Sequence, residues 1–264
     1  MAEASEPAAA GEGWVFLVDK PADLSSFAII RRVRRLLGVK KVGHAGTLDP
    51  FATGLLIVCA GRAATRHIER FMGGGKTYLA RLLLGVETET LDPEGAITAT
   101  APVPVLDQAA IDACLAAHAG EQWQAPPAYS AVKHRGKPLY AYARQGVHID
   151  KAPRPIVIDR LVCRGYDPAS AQLDIEVGCS RGTYIRVLAA DIGRSLGCGA
   201  HLISLRRTAS GPFTVGQSVP GDALNEAGGR ERLLAGRLAI DEALRLAGPG
   251  PAMVATGQGD GAPV

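Results

Sequence analysis

The chain has 264 residues, a formal net charge of +3, 47% hydrophobic and 21% charged residues. That length suits one large domain, or one domain with an appendage, and buries a core without metal or disulfide staples. No apolar run approaches the roughly 20 residues of a membrane span, and Met1–Gly13, with three glutamates and no base, does not read as a secretory leader. The five cysteines are scattered with no C-x-x-C pair, which excludes a zinc cage or disulfide framework and points to a reducing, cytoplasmic setting.

In chain order, residues 1–12 are too poor in large apolars to order. Val15-Phe16-Leu17-Val18 predicts a strand, followed by a turn at Lys20-Pro21. Ser25 or Ser26 caps a helix to about Leu37, with Ile29, Val33, Leu36 and Leu37 on one face, arginines on the other, and Gly38 as its stop. Residues 42–54 hold three glycines, a proline and two threonines, which predicts an irregular, sharply turned loop. Further expectations are a strand at Leu55–Ala60, a helix at Arg62–Met72 and a strand at Lys76–Leu84 after the glycine break 73–75. Residues 107–119 suggest a helix, 155–165 and 171–178 strands, 184–196 a helix and 201–207 a strand. Strands and helices do not alternate one to one, so the class is α+β with a mixed central sheet flanked by helices. Residues 247–264 dissolve into Gly, Pro and Ala.

The charge is segregated. Residues 24–48 carry six cations and no acid, 122–160 a net +5 and 180–207 a net +4, leaving −12 on the rest. An acidic body with basic stretches is the electrostatic footprint of a polyanion binder, although any single run also fits a solvated helix face. In 122–152 the bases Lys133, Arg135, Lys137 and Arg144 interleave with Tyr129, Tyr140 and Tyr142. Aromatic and basic residues together suit unstacked RNA bases.

Common chemical motifs are missing. Gly75-Lys76-Thr77 lacks the glycine five residues upstream that a phosphate-binding loop needs, because Arg70 stands there. There is no nucleophile elbow, no H-E-x-x-H and no dinucleotide fingerprint, and the six histidines are isolated, so no metal or cofactor is expected. Asp49, the one carboxylate in the 42–54 loop, reads from composition as a turn cap before Pro50 or as a catalytic group.

Gly43-His44-Ala45-Gly46-Thr47-Leu48-Asp49-Pro50 resembles the G-H-x-G-T-L-D-P loop of TruB-type pseudouridine synthases. Asp19-Lys20-Pro21 with Ser25-Ser26, Lys76-Thr77-Tyr78, Tyr129 to Lys133, Tyr142 to Gly146, Arg181 to Arg186 and Leu205-Arg206-Arg207 follow in the family's order, over about residues 13–222. Asp23 stands where the family has glycine, and Phe51 where it has leucine.

The resemblance implies the pseudouridine synthase fold and isomerisation of a uridine at position 55, in the T loop of tRNA, by base flipping. It assigns catalysis to Asp49, Tyr78 and Arg186, substrate binding to His44, Tyr184, Leu205 and Lys20, and RNA contact to Lys133, Arg144 and Arg206. It implies no cofactor, tRNA as partner and no obligatory protein partner. The implied layout is a disordered 1–12, a catalytic domain over 13–222 with an RNA-binding thumb at 122–152, a short helical segment at 223–246 and a disordered tail at 247–264, with the family's C-terminal RNA-binding domain absent. The alternative is a non-catalytic RNA-binding or tRNA-folding protein on the same scaffold.

Overall fold

The computed structural model describes residues 13–249. The expectations for 1–12, and for the tail beyond 249, lie outside the described residues. In chain order the elements are β1 (Trp14–Lys20), α1 (Ser26–Leu37), β2 (Val42–Ala45), β3 (Thr53–Ala60), α2 (Arg62–Thr65), α3 (Ile68–Met72), β4 (Lys76–Leu84), β5 (Val86–Thr88) and β6 (Ile97–Thr100). They continue with α4 (Gln108–Ala117), β7 (Gly120–Gln124), β8 (Lys133–His134), β9 (Lys137–Pro138), α5 (Leu139–Ala143), β10 (Arg154–Asp167), β11 (Gln172–Cys179) and α6 (Ile185–Ser195). The last are β12 (Ala200–Ser210), β13 (Phe213–Thr214), β14 (Val219–Pro220), α7 (Gly229–Ala235), β15 (Arg237–Ala239) and α8 (Ile240–Ala247).

One mixed sheet runs β14-β1-β3-β12-β4-β11-β10-β7. Its two halves join at a short parallel contact between β3 and β12, where Arg206 faces Thr53 and Arg207 faces Gly54. Gly54 sits at φ +103°, and a Cβ there would meet the Arg207 carbonyl oxygen at 2.2 Å, so only glycine lets the strands close. In the β1/β3 half both faces are covered. Phe16, Val18, Leu56 and Val58 pack with Ile29, Ile30 and Val33 of α1, while Val15, Leu17, Leu55 and Ile57 pack with Ala64, Phe71 and Ala243. Sheets buried on both faces read as unbroken apolar runs, as β1 and β3 do. In the other half β4 alternates, turning Tyr78, Ala80 and Leu82 toward α4 and α6 and leaving Leu79 and Arg81 exposed.

The α1 boundaries match the capping signals. The Ser25 hydroxyl accepts from the Ala28 N–H, and Gly38 closes the helix at φ +66°. Asp23 adopts φ +61°, the conformation its expected glycine takes freely, so the turn keeps its shape. Three expectations need correction. The 42–54 segment is not wholly irregular, because Val42–Ala45 pairs with β3 as β2. The helix foreseen over Arg62–Met72 breaks at Arg66–His67 into two short helices, and Ala64 and Phe71 belong to the same core. The segment 223–246 is not all helical: Arg237–Ala239 is a strand that pairs with Trp14–Phe16 and satisfies the open edge of β1.

Candidate active site

Asp49 lies between β2 and β3, in the stretch where β3 changes partners. Residues 57–60 of β3 pair with β2, residues 53–54 pair with β12, and the loop spans the gap. Buried donors fix the loop from several sides. The Ser26 hydroxyl, on α1, accepts from the Leu48 N–H at 2.9 Å and donates to the Leu48 carbonyl at 3.0 Å. Lys20 is fully buried, and its ammonium donates to the carbonyls of Pro21 (2.8 Å), Leu24 (2.6 Å) and Pro50 (3.0 Å). Arg207 is buried too, and donates to Leu55 (2.7 Å), Gly46 (3.0 Å) and Thr47 (3.5 Å). Three nitrogens of one cation thus tie the buried Leu55 carbonyl of β3 to the Gly46 and Thr47 carbonyls of the loop.

Arg186, in the first turn of α6, meets the carboxylate from across the cleft. Its Nε donates to Asp49 Oδ2 at 2.9 Å, and its Nη2 approaches Oδ1 at 3.5 Å. The Asp49 side chain is 35% exposed, whereas that of Arg186 is 4% exposed, so the carboxylate presents an open edge backed by an enclosed cation. Arg186 also donates to the carbonyls of Thr90 (2.8 Å) and Tyr129 (2.7 Å) and lies 3.4 Å from Asp92. Burial pushes the Asp49 carboxyl above the ordinary carboxylate range; Arg186 opposes the rise, Asp92 adds to it, and Lys20 lowers it. Burial likewise takes the Lys20 ammonium down to about 8.

Tyr78 faces inward on β4, directly across from Arg207. Burial raises its phenol, partly offset by that guanidinium, so Tyr78 is neutral at physiological pH. His44 is held neutral by burial and by Arg207, and its buried Nδ1 has no partner within the protein. Leu205 is buried among Leu48, Ala52 and Tyr78, which places it on the wall beside the loop. Tyr184 is half-buried at the N-terminus of α6, and Gln124 clamps its backbone through both amide atoms, at 2.7 and 3.1 Å.

The structure thus brings Asp49, Arg186, Lys20 and Tyr78 into one electrostatic neighbourhood, with His44 joined to it through Arg207. Lys20 spends its donors on carbonyls and is enclosed, so it braces the loop instead of lining the substrate cleft. Arg206 points to the other side of β12 and is bound bidentately by Asp19 at 2.7 and 3.0 Å. Lys133 and Arg144 are exposed on the 122–152 segment. There β8 and β9 form a hairpin turned by Arg135 and Gly136, both at positive φ, and Arg144 lies over the Tyr140 ring at 5.5 Å.

Sequence reasoning missed Arg207, Asp92 and Gln124. For Arg207 a signal existed: it stands two residues from apolar Leu205 in a strand, so both point inward. Asp92 gave none. It is aimed inward because Leu91 is held at φ +62° while the Thr88 hydroxyl donates to the Asp92 carbonyl at 2.8 Å. Among the described residues no cluster of metal-ligating side chains forms, and no helix is long and apolar enough to cross a membrane.

Comparison with known proteins gives the family. Residues 34–185 match the TruB family pseudouridylate synthase N-terminal domain, and residues 186–244 match the tRNA pseudouridylate synthase B C-terminal domain. The chain is 58% identical to the tRNA pseudouridine synthase B of Desulfotalea psychrophila over 204 residues, covering 76% of this chain and 83% of that protein. It is 51% identical to the same enzyme of Aromatoleum aromaticum over 210 residues, 80% of this chain and 67% of that one. In three dimensions it resembles Cbf5 from a Cbf5-Nop10-Gar1 complex, with a TM-score of 0.65 and 26% identity over 88% of this chain and 62% of Cbf5. On these matches the chain belongs to the TruB family of pseudouridylate synthases.

Proposed function

We propose that this chain converts the uridine at position 55, in the T loop of tRNA, to pseudouridine, with Asp49 as its catalytic carboxylate. The observation that carries the assignment is the Asp49–Arg186 pair, 2.9 Å apart, with the anion facing the cleft and the cation sealed behind it. The reaction breaks the C1′–N1 bond, turns the uracil and joins C1′ to C5. The proton leaves C5 and N1 gains one, so the net change is an isomerisation.

A carboxylate suits this chemistry because it can add to the reacting carbon or stabilise positive charge on the sugar. Arg186 favours the ionised form in a pocket whose burial opposes it. Tyr78 offers a neutral phenol and a ring face to the extruded base, and Leu205 and Tyr184 give the pocket its apolar wall. His44, on β2 of the same loop, is the residue that fills the space the base vacates. Extrusion costs a few kcal/mol, which these contacts offset. The 122–152 thumb closes over the T arm through Lys133 and Arg144, while 13–222 forms the catalytic body. The chain acts in the cytoplasm without an obligatory protein partner; its higher identity to the synthase B relatives than to Cbf5 supports this.

The test is Asp49→Asn, which keeps size and removes charge. Single-turnover pseudouridine formation on unmodified tRNA is expected to fall at least ~10⁴-fold, about 5.5 kcal/mol in barrier. Affinity, which comes mostly from phosphate contacts, is expected to stay within about threefold. Retained activity would reduce Asp49 to a turn former.

A further inference from the structure

The outer face of α1 is the strongest feature that the proposed site does not use. Residues 24–48 hold Arg31, Arg32, Arg34, Arg35, Lys40 and Lys41 and no acid. Among the described residues none of these six is ion-paired, although seven other arginines are. Arg32 donates to the Gly221 carbonyl at 3.2 Å and Arg34 to the Val42 carbonyl at 3.1 Å, which fixes two side chains without neutralising them. Arg31 and Arg35 lie one turn apart with free donors. A groove of about 410 Å³ opens between them and Asn225, lined also by Leu24, Ala28 and Arg32. Phe27 stands exposed on the same helix, with Arg31 and Arg34 over its ring at 5.8 and 5.7 Å. Guanidinium groups beside an open aromatic ring suit a sugar–phosphate chain and its bases.

Position says which part of the RNA this is. The N-terminus of α1 is tied to the catalytic loop through Ser26 and Leu48. At 1.5 Å per residue, Arg31 to Arg35 lie roughly 8–14 Å beyond that tie. The thumb is rooted on the β7/β10 edge, five strands from β3, or about 24 Å along the sheet at strand spacing, and reaches back to the site where the Tyr129 carbonyl accepts from Arg186 at 2.7 Å. A hairpin held between the thumb and Asp49 leaves α1 on the side past the loop tip.

We propose that the α1 face with the Asn225 groove is a second RNA-binding surface, which grips the phosphate backbone of a tRNA segment outside the T arm. This rests on the tRNA reading above. It makes whole tRNA a better ligand than its isolated T arm, through contacts remote from the reacting base. The test compares wild type with the double variant Arg31→Ala, Arg35→Ala, measuring affinity for unmodified full-length tRNA and for a T-arm hairpin across a salt series. Thermal melts check the fold.

Each phosphate contact contributes about 0.7–0.9 to the slope of log affinity against log salt, so two lost contacts lower the slope for whole tRNA by roughly 1.5 and weaken binding roughly 10- to 50-fold at 0.1 M salt. Hairpin affinity is expected to stay within twofold. Equal losses on both RNAs would place the face within the T-arm site, and no loss on either would make it a solvated helix face; each overturns the inference. Wild type that forms no pseudouridine on either RNA would fail the function reading itself, and that is read separately from affinity.

Discussion

Two sets of cations in this chain do opposite work. Lys20, Arg186 and Arg207 are turned inward, sealed from water and saturated with acceptors. The cations of α1 and the thumb, among them Arg31, Arg35, Lys133 and Arg144, stand exposed with no carboxylate partner among the described residues. Inside, a cation is a positioning device: it costs desolvation, and it holds backbone in one place only because every donor is used. Outside, geometry is loose, and what counts is that nothing nearby cancels the charge. A third group on the open face of β4, β11 and β10 sharpens the contrast. Arg81 pairs with Asp174, and Arg160 and Arg164 both pair with Glu176, so that surface is basic by composition and close to neutral by arrangement.

The inner set is tested most severely by Arg186→Met. The change leaves buried Asp92 without its cation and Asp49 without its partner. Breaking a buried pair on one side costs about 3–5 kcal/mol, and at roughly 2–4 °C per kcal/mol for a domain of this size the melting temperature is expected to drop by about 6–20 °C. A gentler variant isolates the chemistry. Arg186→Lys keeps a charge but loses the planar fork that serves Asp49, Thr90 and Tyr129 together. Asp49 must be ionised to act, and its carboxyl is already raised by burial with Arg186 opposing the rise. A weaker partner raises it further, so the acid limb of the single-turnover rate is expected to move to higher pH. An acid limb that stays in place would separate Arg186 from the ionisation of Asp49.

Arg207→Met comes next. It removes the donors that hold Leu55, Gly46 and Thr47, and leaves the buried Leu55 carbonyl unpaired at about 1–3 kcal/mol. The expected result is a fall in melting temperature and in maximal rate, with affinity for tRNA little changed, because Arg207 is enclosed. A loss of affinity as large as the loss of rate would put Arg207 in the interface.

How far the sequence carried this picture depended on whether a signal was local. The α1 boundaries were legible because serine and glycine caps act within one turn. Tyr78 was legible only through the resemblance, and the alternation of β4 is what turns it inward. The catalytic loop stood out through its glycines and its carboxylate, yet β2 within it stayed hidden, since its pairing depends on β3. Arg206 and Arg207 look alike as adjacent letters. Only the parallel seam with Thr53 and Gly54 decides that one reaches Asp19 at the surface while the other is swallowed by the core. Asp92 depends on a strained Leu91 and on Arg186 arriving from 94 residues further along the chain, and no local pattern encodes either.

The smallest expected effect separates paired from unpaired surface charge. Arg144 on the thumb and Arg160 on the open sheet face are both exposed, and both belong to the same basic stretch of sequence. By composition they are equivalent. By structure they differ, because Arg160 is spent on Glu176 at 2.6 Å while Arg144 only overlies the Tyr140 ring. Arg144→Ala is expected to flatten the slope of log tRNA affinity against log salt by about 0.7–0.9, the share of one phosphate contact. Arg160→Ala is expected to leave that slope unchanged and to cost no more than about 1 kcal/mol of stability, as exposed pairs do. Removing Arg160 even frees part of an acidic group, so any change in affinity should be a slight weakening without a lost counterion. Equal slope changes in the two variants would mean that the RNA covers the open sheet face as well. In that case total charge, and not its pairing, would decide where this protein meets its substrate.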